Sequence, residues 1–285
     1  MVQIGFSLQA KYTLPMEQVM ELLHQSGFSA VSPVWSPELP MEQIVTAAQK
    51  YSMRIQSLHA PHTPVSALWN PKDSVSESLI MRFTDCIDAC ARFHVPIMVV
   101  HGWQGVNYVF PEEPLNFSAF DRIVDHAEQN HVSIAFENLE GEEYLEALLT
   151  RYRDRSHIGF CWDSGHDHCY PHQTDFLRTY GQRLIMTHLN DNRGLRNEDG
   201  TPSTKDDLHF LPYDGVIHWK QAIGRLKDLP RQEILNFELK KRASSSAPED
   251  LIYESLSDEQ YFCLAGKRAR QIADLYEHII NEKNA

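Results

Sequence analysis

The sequence predicts one closed barrel of eight parallel strands, each followed by a helix, which is the α/β fold known as the (β/α)8 or TIM barrel. Its 285 residues, 42% of them hydrophobic, fit a single large domain over residues 1–285. Short β-rich runs alternate with amphipathic stretches, as parallel strand–helix units do and hairpins do not. Metal-binding types of side chain recur where successive strands end, which is where such barrels carry their active sites.

Eight β-rich runs define the strands of this barrel. The predicted strands are Gln3–Leu8, Ala30–Trp35, Arg54–His59, Pro96–His101, Ser133–Asn138, His157–Asp163, Leu184–Asn190 and Glu233–Leu239. A doubly wound open sheet is the alternative. It requires a glycine-rich phosphate-binding turn after the first strand, and this chain has Leu8-Gln9-Ala10-Lys11 there. The closed barrel is therefore the favoured fold.

Helices are predicted between the strands, where apolar residues recur three and four positions apart. The clearest are Met16–Gln25, Met41–Tyr51, Ser76–Phe93 and Phe117–Asn130. Two long polar loops interrupt this rhythm, Asn192–Gly215 after the seventh strand and Lys240–Gln260 after the eighth. Loops of that length in a compact domain are usually active-site lids or disordered segments. Both follow strand ends on the catalytic face of the barrel, so we interpret them as lids.

Composition narrows the class of function. The chain has 26 basic and 39 acidic residues, a formal net charge of -13, and no sustained basic stripe that would neutralise phosphates, so nucleic acid is an improbable partner. It has no apolar run near the ~18 residues of a membrane span and no signal-like start, so we expect a cytoplasmic protein without a membrane partner. Its five cysteines have no zinc-ribbon spacing and are interpreted as small apolar residues.

Single metal-binding residues end several of the apolar runs. This is the pattern of Leu58-His59-Ala60-Pro61, Val99-Val100-His101-Gly102, Ala135-Phe136-Glu137-Asn138 and Thr187-His188-Leu189-Asn190. A buried charged or imidazole group costs several kcal/mol unless a partner compensates it, and a metal ion is such a partner. A hydrogen-bonded core residue is the alternative for either of the first two histidines alone. Glutamate is seldom buried without a partner, so the alternative is weaker for Glu137 and for Glu238.

Two further pairs extend this pattern. Asp163 and His166 flank the turn Ser164-Gly165 at the end of the sixth strand, which allows both side chains to enter one pocket. Asp207 and His209 have the spacing of residues that share one face of a strand. A solvated loop charge is the alternative for Asp207. The joint pattern predicts a metal centre with candidate ligands His59, His101, Glu137, Asp163, His166, His188, Asp207, His209 and Glu238.

These residues resemble the xylose isomerase-like barrels, a superfamily that includes sugar phosphate isomerases and epimerases and the endonuclease IV branch, also called AP endonuclease family 2. The segment from Asp207 to Trp219 is similar to the family pattern D-x-H-x-x-P-x-x-G-x-I-x-W. The resemblance implies one divalent metal ion, Mn²⁺, Co²⁺, Mg²⁺ or Zn²⁺. Its implied ligands are Glu137, Asp163, His188 and Glu238. In endonuclease IV nine ligands hold three zinc ions, and all nine positions have counterparts here.

The resemblance implies a metal-dependent isomerase or epimerase that acts on a small sugar or sugar phosphate. Glu137 and Glu238 would be the acid and base that move a proton at a carbon beside a metal-bound carbonyl. The implied substrate-binding residues are His62, Trp103, His166 and Arg193. Five basic residues in the two long loops are candidates for binding a phosphate, with solvated lid charges as the alternative: Arg193, Arg196, Lys240, Lys241 and Arg242.

A trinuclear zinc phosphodiesterase of the endonuclease IV type is the first alternative function, and a related lyase or a non-catalytic barrel is the second. Acidic loop residues such as Glu112-Glu113 and Glu142-Glu143 argue against a surface that grips DNA. The position of a tyrosine that the endonuclease uses on DNA is His62 here. Such barrels often dimerise through their helices, so a homo-oligomer also stays open.

Overall fold

The computed structural model describes residues 1–8, 12–70, 72 and 74–283, so part of the Leu8–Lys11 turn lies outside the described residues. Its strands occupy the predicted positions and are all paired in parallel. They are β1 Gln3–Leu8, β2 Ala30–Pro33, β3 Arg54–Ile55, β4 Ser57–His59, β5 Ile97–His101, β6 Ser133–Glu137, β7 Ile158–Asp163, β8 Leu184–His188 and β9 Ile234–Phe237.

The third predicted strand is divided in the structure, because Gln56 separates β3 from β4. As a result the wall consists of a four-stranded sheet, β3-β2-β1-β9, and a five-stranded sheet, β4-β5-β6-β7-β8. Backbone hydrogen bonds join the two sheets at both edges. Trp35 N donates to His59 O at 2.9 Å, and Leu189 N donates to Asn236 O at 2.9 Å. The sheet is therefore closed into a barrel, as the sequence predicts.

Helices surround this barrel and cover its outer face. They are α1 Met16–Gln25, α2 Met41–Lys50, α3 Ser74–Arg92, α4 Ser118–Gln129, α5 Glu142–Arg151, α6 His166–Cys169, α7 Phe176–Tyr180, α8 Trp219–Gly224 and α9 Asp258–Lys283, with 3₁₀ turns at Val65–Trp69, Gly181–Arg183 and Pro248–Asp250. The four helices expected from the sequence begin and end within two residues of their predicted positions. Among the helices of the described residues, none has the length and apolarity that crossing a membrane requires.

Amphipathic spacing explains how the helices attach to the barrel. In α4 the buried residues recur three and four apart, so one side of the helix is apolar and packs on the sheet. β6 and β7 are buried along nearly their whole length, as strands of a parallel sheet covered on both faces are. The apolar core lies between the sheet and the helices, and the carboxyl ends of the strands are left for polar side chains.

The two long loops are bound to each other at the barrel mouth. Arg196, in the loop after β8, donates to Asp250 Oδ2 in the loop after β9 at 2.6 Å, and it also contacts Asp206 at 3.1 Å. Leu211 N donates to the Tyr253 hydroxyl at 2.9 Å. Asp250 and Asp206 are buried, so these contacts are shielded from solvent. The segments predicted as lids thus form one connected layer over the mouth.

Asp191 organises the longer of these loops. Its Oδ2 accepts hydrogen bonds from Tyr213 N at 3.0 Å and from Trp219 Nε1 at 2.9 Å, and its Oδ1 accepts one from Ile217 N at 3.1 Å. The side chain is fully buried. The Asp191 carboxylate, three residues after β8, therefore holds the last part of the loop against its first residues.

We expect Asp191→Ala to lower the free energy of unfolding by about 3 kcal/mol, because it leaves several buried N–H groups without an acceptor. Urea denaturation of the purified variant measures this change. Glu198→Ala, an exposed position in the same loop, is the control and is expected to stay within about 0.5 kcal/mol of the parent chain. A loss below about 1 kcal/mol in Asp191→Ala would show that the loop does not depend on this carboxylate.

Candidate metal centre

The carboxyl ends of the strands bring the predicted ligands together. His59, His101, Glu137, Asp163 and His188 are the last residues of β4 to β8. The strand register places these residues side by side on adjacent strands, since His101 pairs with Glu137 and Asp163 pairs with His188. The remaining four follow strands β7, β8 and β9 directly or in their loops: His166, Asp207, His209 and Glu238.

The nine side chains form three groups in which the potential ligand atoms lie within 4.8 Å of one another. The first, the central group, is Glu137, Asp163, His188 and Glu238. The second is His59, His101 and Glu137, and the third is His166, Asp207 and His209. Glu137 belongs to two groups, so its two carboxylate oxygens connect neighbouring positions. The buried Cys161 thiol also lies within the same distance of Glu137 and His188.

Two glutamates converge on one imidazole in the central group. His188 Nδ1 lies 2.9 Å from Glu137 Oε1 and 2.9 Å from Glu238 Oε2. Asp163 completes the group and is fully buried. Three carboxylates that share a buried site repel one another unless positive charge compensates them.

The second group places two histidine nitrogens against the other oxygen of Glu137. His101 Nε2 is 3.2 Å and His59 Nε2 is 3.4 Å from Glu137 Oε2. His59 Nδ1 lies 2.8 Å from the carbonyl oxygen of Ala60, an acceptor to which Nδ1–H donates. His59 Nε2 is then the nitrogen that faces the group, which is the orientation that a metal-binding histidine adopts.

The third group has the same design. His209 Nε2 is 2.8 Å and His166 Nε2 is 3.4 Å from Asp207 Oδ2. The Nδ1 atoms of both rings face backbone carbonyl oxygens. His166 Nδ1 lies 2.9 Å from Asn138 O, and His209 Nδ1 lies 3.1 Å from Glu238 O. His209 has a φ of 50°, a left-handed conformation that costs an L-residue about 1 kcal/mol. The loop holds this strained backbone with the imidazole turned toward Asp207.

Two asparagines position Asp163. Asn138 receives a hydrogen bond from Asp163 N at 2.7 Å and donates to Asp163 O at 2.9 Å. Asn190 Nδ2 donates to Asp163 Oδ2 at 2.8 Å. Gly165 is required beside them, because a Cβ there would lie 1.9 Å from Asn190 Oδ1. The turn between Asp163 and His166 is thus fixed by packing as well as by hydrogen bonds.

Electrostatics keeps the two glutamates of the central group ionised. Burial alone would raise the pKa of Glu137, but the nearby imidazoles, His188 foremost, hold it well below its usual range. The same balance of burial against His188 and His209 lowers the pKa of Glu238. Burial opposes protonation of His188, yet the Cys161 thiol and the two glutamates raise its pKa well above the usual range. Protonated imidazoles therefore balance the carboxylates when no other cation does.

This donor set fits a divalent metal ion. Three carboxylates and one imidazole are the oxygen-rich mixture that Mn²⁺, Mg²⁺, Co²⁺ and Zn²⁺ accept. Asp207 Oδ1 is buried without a hydrogen-bond partner among the described residues. Orphaned polar atoms of this kind are rare unless a ligand or ion completes the site. The residues present therefore fit a divalent cation.

A cavity of about 280 Å³, the metal-site pocket, opens over the groups. The residues beyond the predicted ligands that line it include His62, Gln104, Glu140, Tyr170, Thr204, Lys240 and Ser244. Burial, together with His101 and His59, lowers the pKa of His62 to about 4, so its ring is neutral. His62 can then exchange hydrogen bonds with a hydroxyl group.

Glu140 is a pocket residue that the sequence did not identify as part of the site. It is 7% exposed, and its Oε1 accepts a hydrogen bond from Gly105 N at 2.7 Å. Oε2 has no hydrogen-bond partner among the described residues. Burial raises the pKa of this carboxyl group. Its position three residues after Glu137, just past the strand end, is the only sequence signal that points to it.

The predicted substrate-binding residues divide into two pairs. His62 and His166 line the metal-site pocket. Trp103 lies outside the described lining, with its ring stacked on Tyr144 at 4.4 Å between centroids. Arg193 also lies outside that lining and donates to the backbone oxygen of Glu249 at 2.6 Å. Trp103 and Arg193 are thus engaged in contacts outside the metal-site pocket.

Comparison with known proteins identifies relatives of this barrel. The sequence profile of the xylose isomerase-like TIM barrel family matches residues 19–258. The uncharacterized protein y4fM of Sinorhizobium fredii is 28% identical, over 77% of this chain and 79% of its own length.

Solved structures share the fold at low identity. The IOLI protein with a bound zinc atom superimposes with a TM-score of 0.71 at 17% identity, covering 96% of this chain and 98% of its own. A D-tagatose 3-epimerase-like protein gives 0.68 at 20% identity, covering 98% and 99%. At these identities the similarity shows the fold alone.

We expect the affinity for zinc to fall as the pH is lowered through about 7. Burial raises the pKa of Asp163 to about 7. Burial opposes protonation of His166 and His188, yet neighbouring groups hold the pKa of both well above the usual range, namely carboxylates at His166 and Cys161 with the two glutamates at His188. Each proton has to leave before its group binds a metal ion, so each proton that zinc displaces changes the affinity about tenfold per pH unit.

A chelator-competition titration between about pH 5.5 and 8.5 measures this dependence. Asp163→Asn removes one of the titrating groups and is expected to bind zinc more weakly, with a shallower dependence on pH. A zinc affinity that stays constant over this range in the parent chain would contradict the assignment of these side chains as ligands.

Proposed function

The chain belongs to the xylose isomerase-like TIM barrel family, and from that premise we propose that it is a metal-dependent sugar isomerase or epimerase. The observation that carries the proposal is the meeting of two glutamates at His188 Nδ1: Glu137 ends β6, and Glu238 directly follows β9, which is not adjacent to β6. A two-sided proton transfer needs two carboxyl groups close to one carbon, one ionised to take a proton and one protonated to return it. A D-tagatose 3-epimerase-like protein among the structural neighbours supports the sugar substrate.

The central group would hold the metal ion, and the donor types match those of the family. When bound, a divalent ion supplies Lewis acidity that makes a carbon beside a carbonyl group easier to deprotonate. The zinc atom of the structurally similar IOLI protein supports zinc as one occupant. Asn138 and Asn190 would keep Asp163 in its ligand orientation through the hydrogen bonds described above.

The two glutamates would perform the proton transfers. One glutamate acts as the ionised base and takes the proton from the carbon beside the carbonyl group. The electron pair of the broken C–H bond forms the C=C bond of an enediolate, and the π pair of the carbonyl group moves onto its oxygen. For epimerisation the other glutamate, which has taken a proton from solvent and is then a carboxylic acid, returns that proton to the opposite face of the same carbon. For isomerisation a proton returns to the adjacent carbon instead. Either course leaves the substrate composition unchanged, and no external oxidant or reductant is needed.

The remaining pocket residues would hold the substrate. The volume of about 280 Å³ is near the lower end of the ~300–1,000 Å³ typical of ligand pockets, which favours a small substrate. The neutral ring of His62 would bind a sugar hydroxyl group, and so would His166. Glu140 Oε2, which has no hydrogen-bond partner within the described part of the chain, can accept from another hydroxyl group.

We expect the chain to exchange a carbon-bound proton of a ketose with solvent deuterium, which nuclear magnetic resonance detects in a panel of ketoses. Glu137→Gln and Glu238→Gln should each lower the exchange rate by roughly 10²–10⁴-fold, because an amide cannot accept the proton. Glu112→Gln, in an exposed loop, is the control and should keep the parent rate. Unchanged exchange in both site variants would exclude the proposed acid and base.

A trinuclear zinc phosphodiesterase of the endonuclease IV type is the second candidate. The observation in its favour is the division of the nine side chains into three groups, two of which share Glu137. Phosphodiester cleavage often uses metal ions about 4 Å apart to stabilise the attacking and leaving oxygens. The net charge of -13 opposes it, because DNA binding requires neutralisation of phosphates.

The two candidates are separated by assaying the zinc-loaded chain on a DNA duplex that contains one abasic site. We expect no incision of this duplex together with deuterium exchange in at least one ketose. Incision without exchange in any ketose would replace the isomerase by the phosphodiesterase.

A further inference from the structure

A second and larger cavity lies beside the metal-site pocket. It has a volume of about 660 Å³ and is called the basic cleft here. Its walls come from the end of β9, the start of α9 and the segment after β1. The described residues that line it are Phe6, Tyr12, Thr13, Leu239, Lys240, Lys241, Arg242, Glu254, Asp258, Tyr261 and Phe262.

One wall of the basic cleft consists of packed aromatic side chains. The Phe262 ring lies edge-on to Phe6 at 5.6 Å and to Tyr261 at 5.8 Å between centroids. All three side chains are at least 98% buried. The Tyr261 hydroxyl is buried and has no hydrogen-bond partner among the described residues. The cleft is thus a preformed feature of the fold.

Most of the charge in the basic cleft is balanced within the protein. Lys241 Nζ lies 2.7 Å from Asp258 Oδ1, and Arg242 lies 3.4 Å from Glu254 Oε1. Lys240 differs, because its ammonium group has no carboxylate partner among the described residues. Its side chain is half-buried, and its backbone N is fixed by donation to His209 O at 3.0 Å. The cleft therefore carries one uncompensated positive charge.

Lys240 lies at the boundary between the two cavities, because it lines both the basic cleft and the metal-site pocket. Its proximity to the pocket also appears at His62, whose pKa it helps to lower after burial and the nearby histidines. The arginines of the neighbouring loop are otherwise engaged. Arg193 contacts Glu249 and Asp250, and Arg196 contacts Asp250 and Asp206. Of the five basic residues considered for phosphate binding, Lys240 alone has both a place in the pocket and an unused charge among the described residues.

We propose that Lys240 recognises an anionic group of the substrate, a phosphate or a carboxylate, at the boundary between the metal-site pocket and the basic cleft. The proposal rests on the proposed function and narrows its substrate to an anionic sugar derivative. The sugar carbons occupy the metal-site pocket, and the anionic group lies against the Lys240 ammonium. A half-buried ammonium and an anion form a charge-assisted hydrogen bond, which is roughly twice as strong as a neutral one. The basic cleft leaves room for whatever extends beyond that group.

Binding of unreactive sugar alcohols tests this assignment without any need for turnover. The probes are ribitol, ribitol 5-phosphate and ribonate, which lack a ketone or aldehyde group, and the zinc-loaded full chain is titrated calorimetrically with each. We expect at least one anion to bind roughly 10- to 100-fold more tightly than ribitol. Lys240→Met should abolish that preference and leave the affinity for ribitol unchanged. Phosphate and carboxylate are distinguished by which of the two anions shows the preference.

Two further variants serve as controls. Lys240→Arg keeps the positive charge and is expected to keep the preference for the anion. This result would show that Lys240→Met loses the preference through its missing charge and not through a changed fold. Lys205→Met removes an exposed lysine from the loop after β8 and should behave like the parent chain. The proposal is overturned if the parent chain binds all three probes equally, or if Lys240→Met still prefers the anion, as direct binding of the anion to zinc would produce. Lysine-dependent anion binding without proton exchange in any ketose would refute the proposed function and leave the anion site in place.

Discussion

The buried Glu137 carboxylate lies among four imidazole groups, and the arrangement of the barrel mouth depends on this interaction. His188, His101, His59 and His166 approach its two oxygens at 2.9 to 3.5 Å. A carboxylate so deeply buried is tolerated only where positive charge or metal ions compensate it. The four histidines lie at or just after the ends of four different strands. The barrel therefore has to close before they can surround Glu137.

The surroundings of the centre restrict how it can move. Asn138 and Asn190 hold Asp163 from two sides, and the absence of a side chain at Gly165 gives Asn190 its place. The loops after β8 and β9 are joined through Arg196 and buried aspartates. Such support keeps catalytic groups within a fraction of an ångström of their working geometry. The hydrogen-bonded part of the site is thus the group around Glu137 and Asp163, whereas the Lys240 ammonium group at its edge has no carboxylate partner among the described residues.

Strand periodicity in the sequence was sufficient to predict the residues at the strand ends. It located His59, His101, Glu137 and His188, because parallel strands in register deliver their last residues to one rim. Side-chain partners in loops could not be predicted in this way. Arg193 is engaged with a residue 56 positions away, and Trp103 packs on a helix that begins about forty residues later, so neither spacing reveals the contact. The contact of Glu140 with Gly105 N, and the lack of a carboxylate partner for Lys240 among the described residues, could not be predicted for the same reason.

The metal content of the chain, purified without chelator or histidine tag, tests the central claim most directly, namely that the group around Glu137 and Glu238 binds a divalent metal ion. Elemental analysis should give at least one equivalent per chain, and removal of the metal with a chelator should lower the melting temperature, because the buried carboxylates lose their compensating charge. Chains that contain no metal, and whose melting temperature does not rise when zinc is added, would contradict the account.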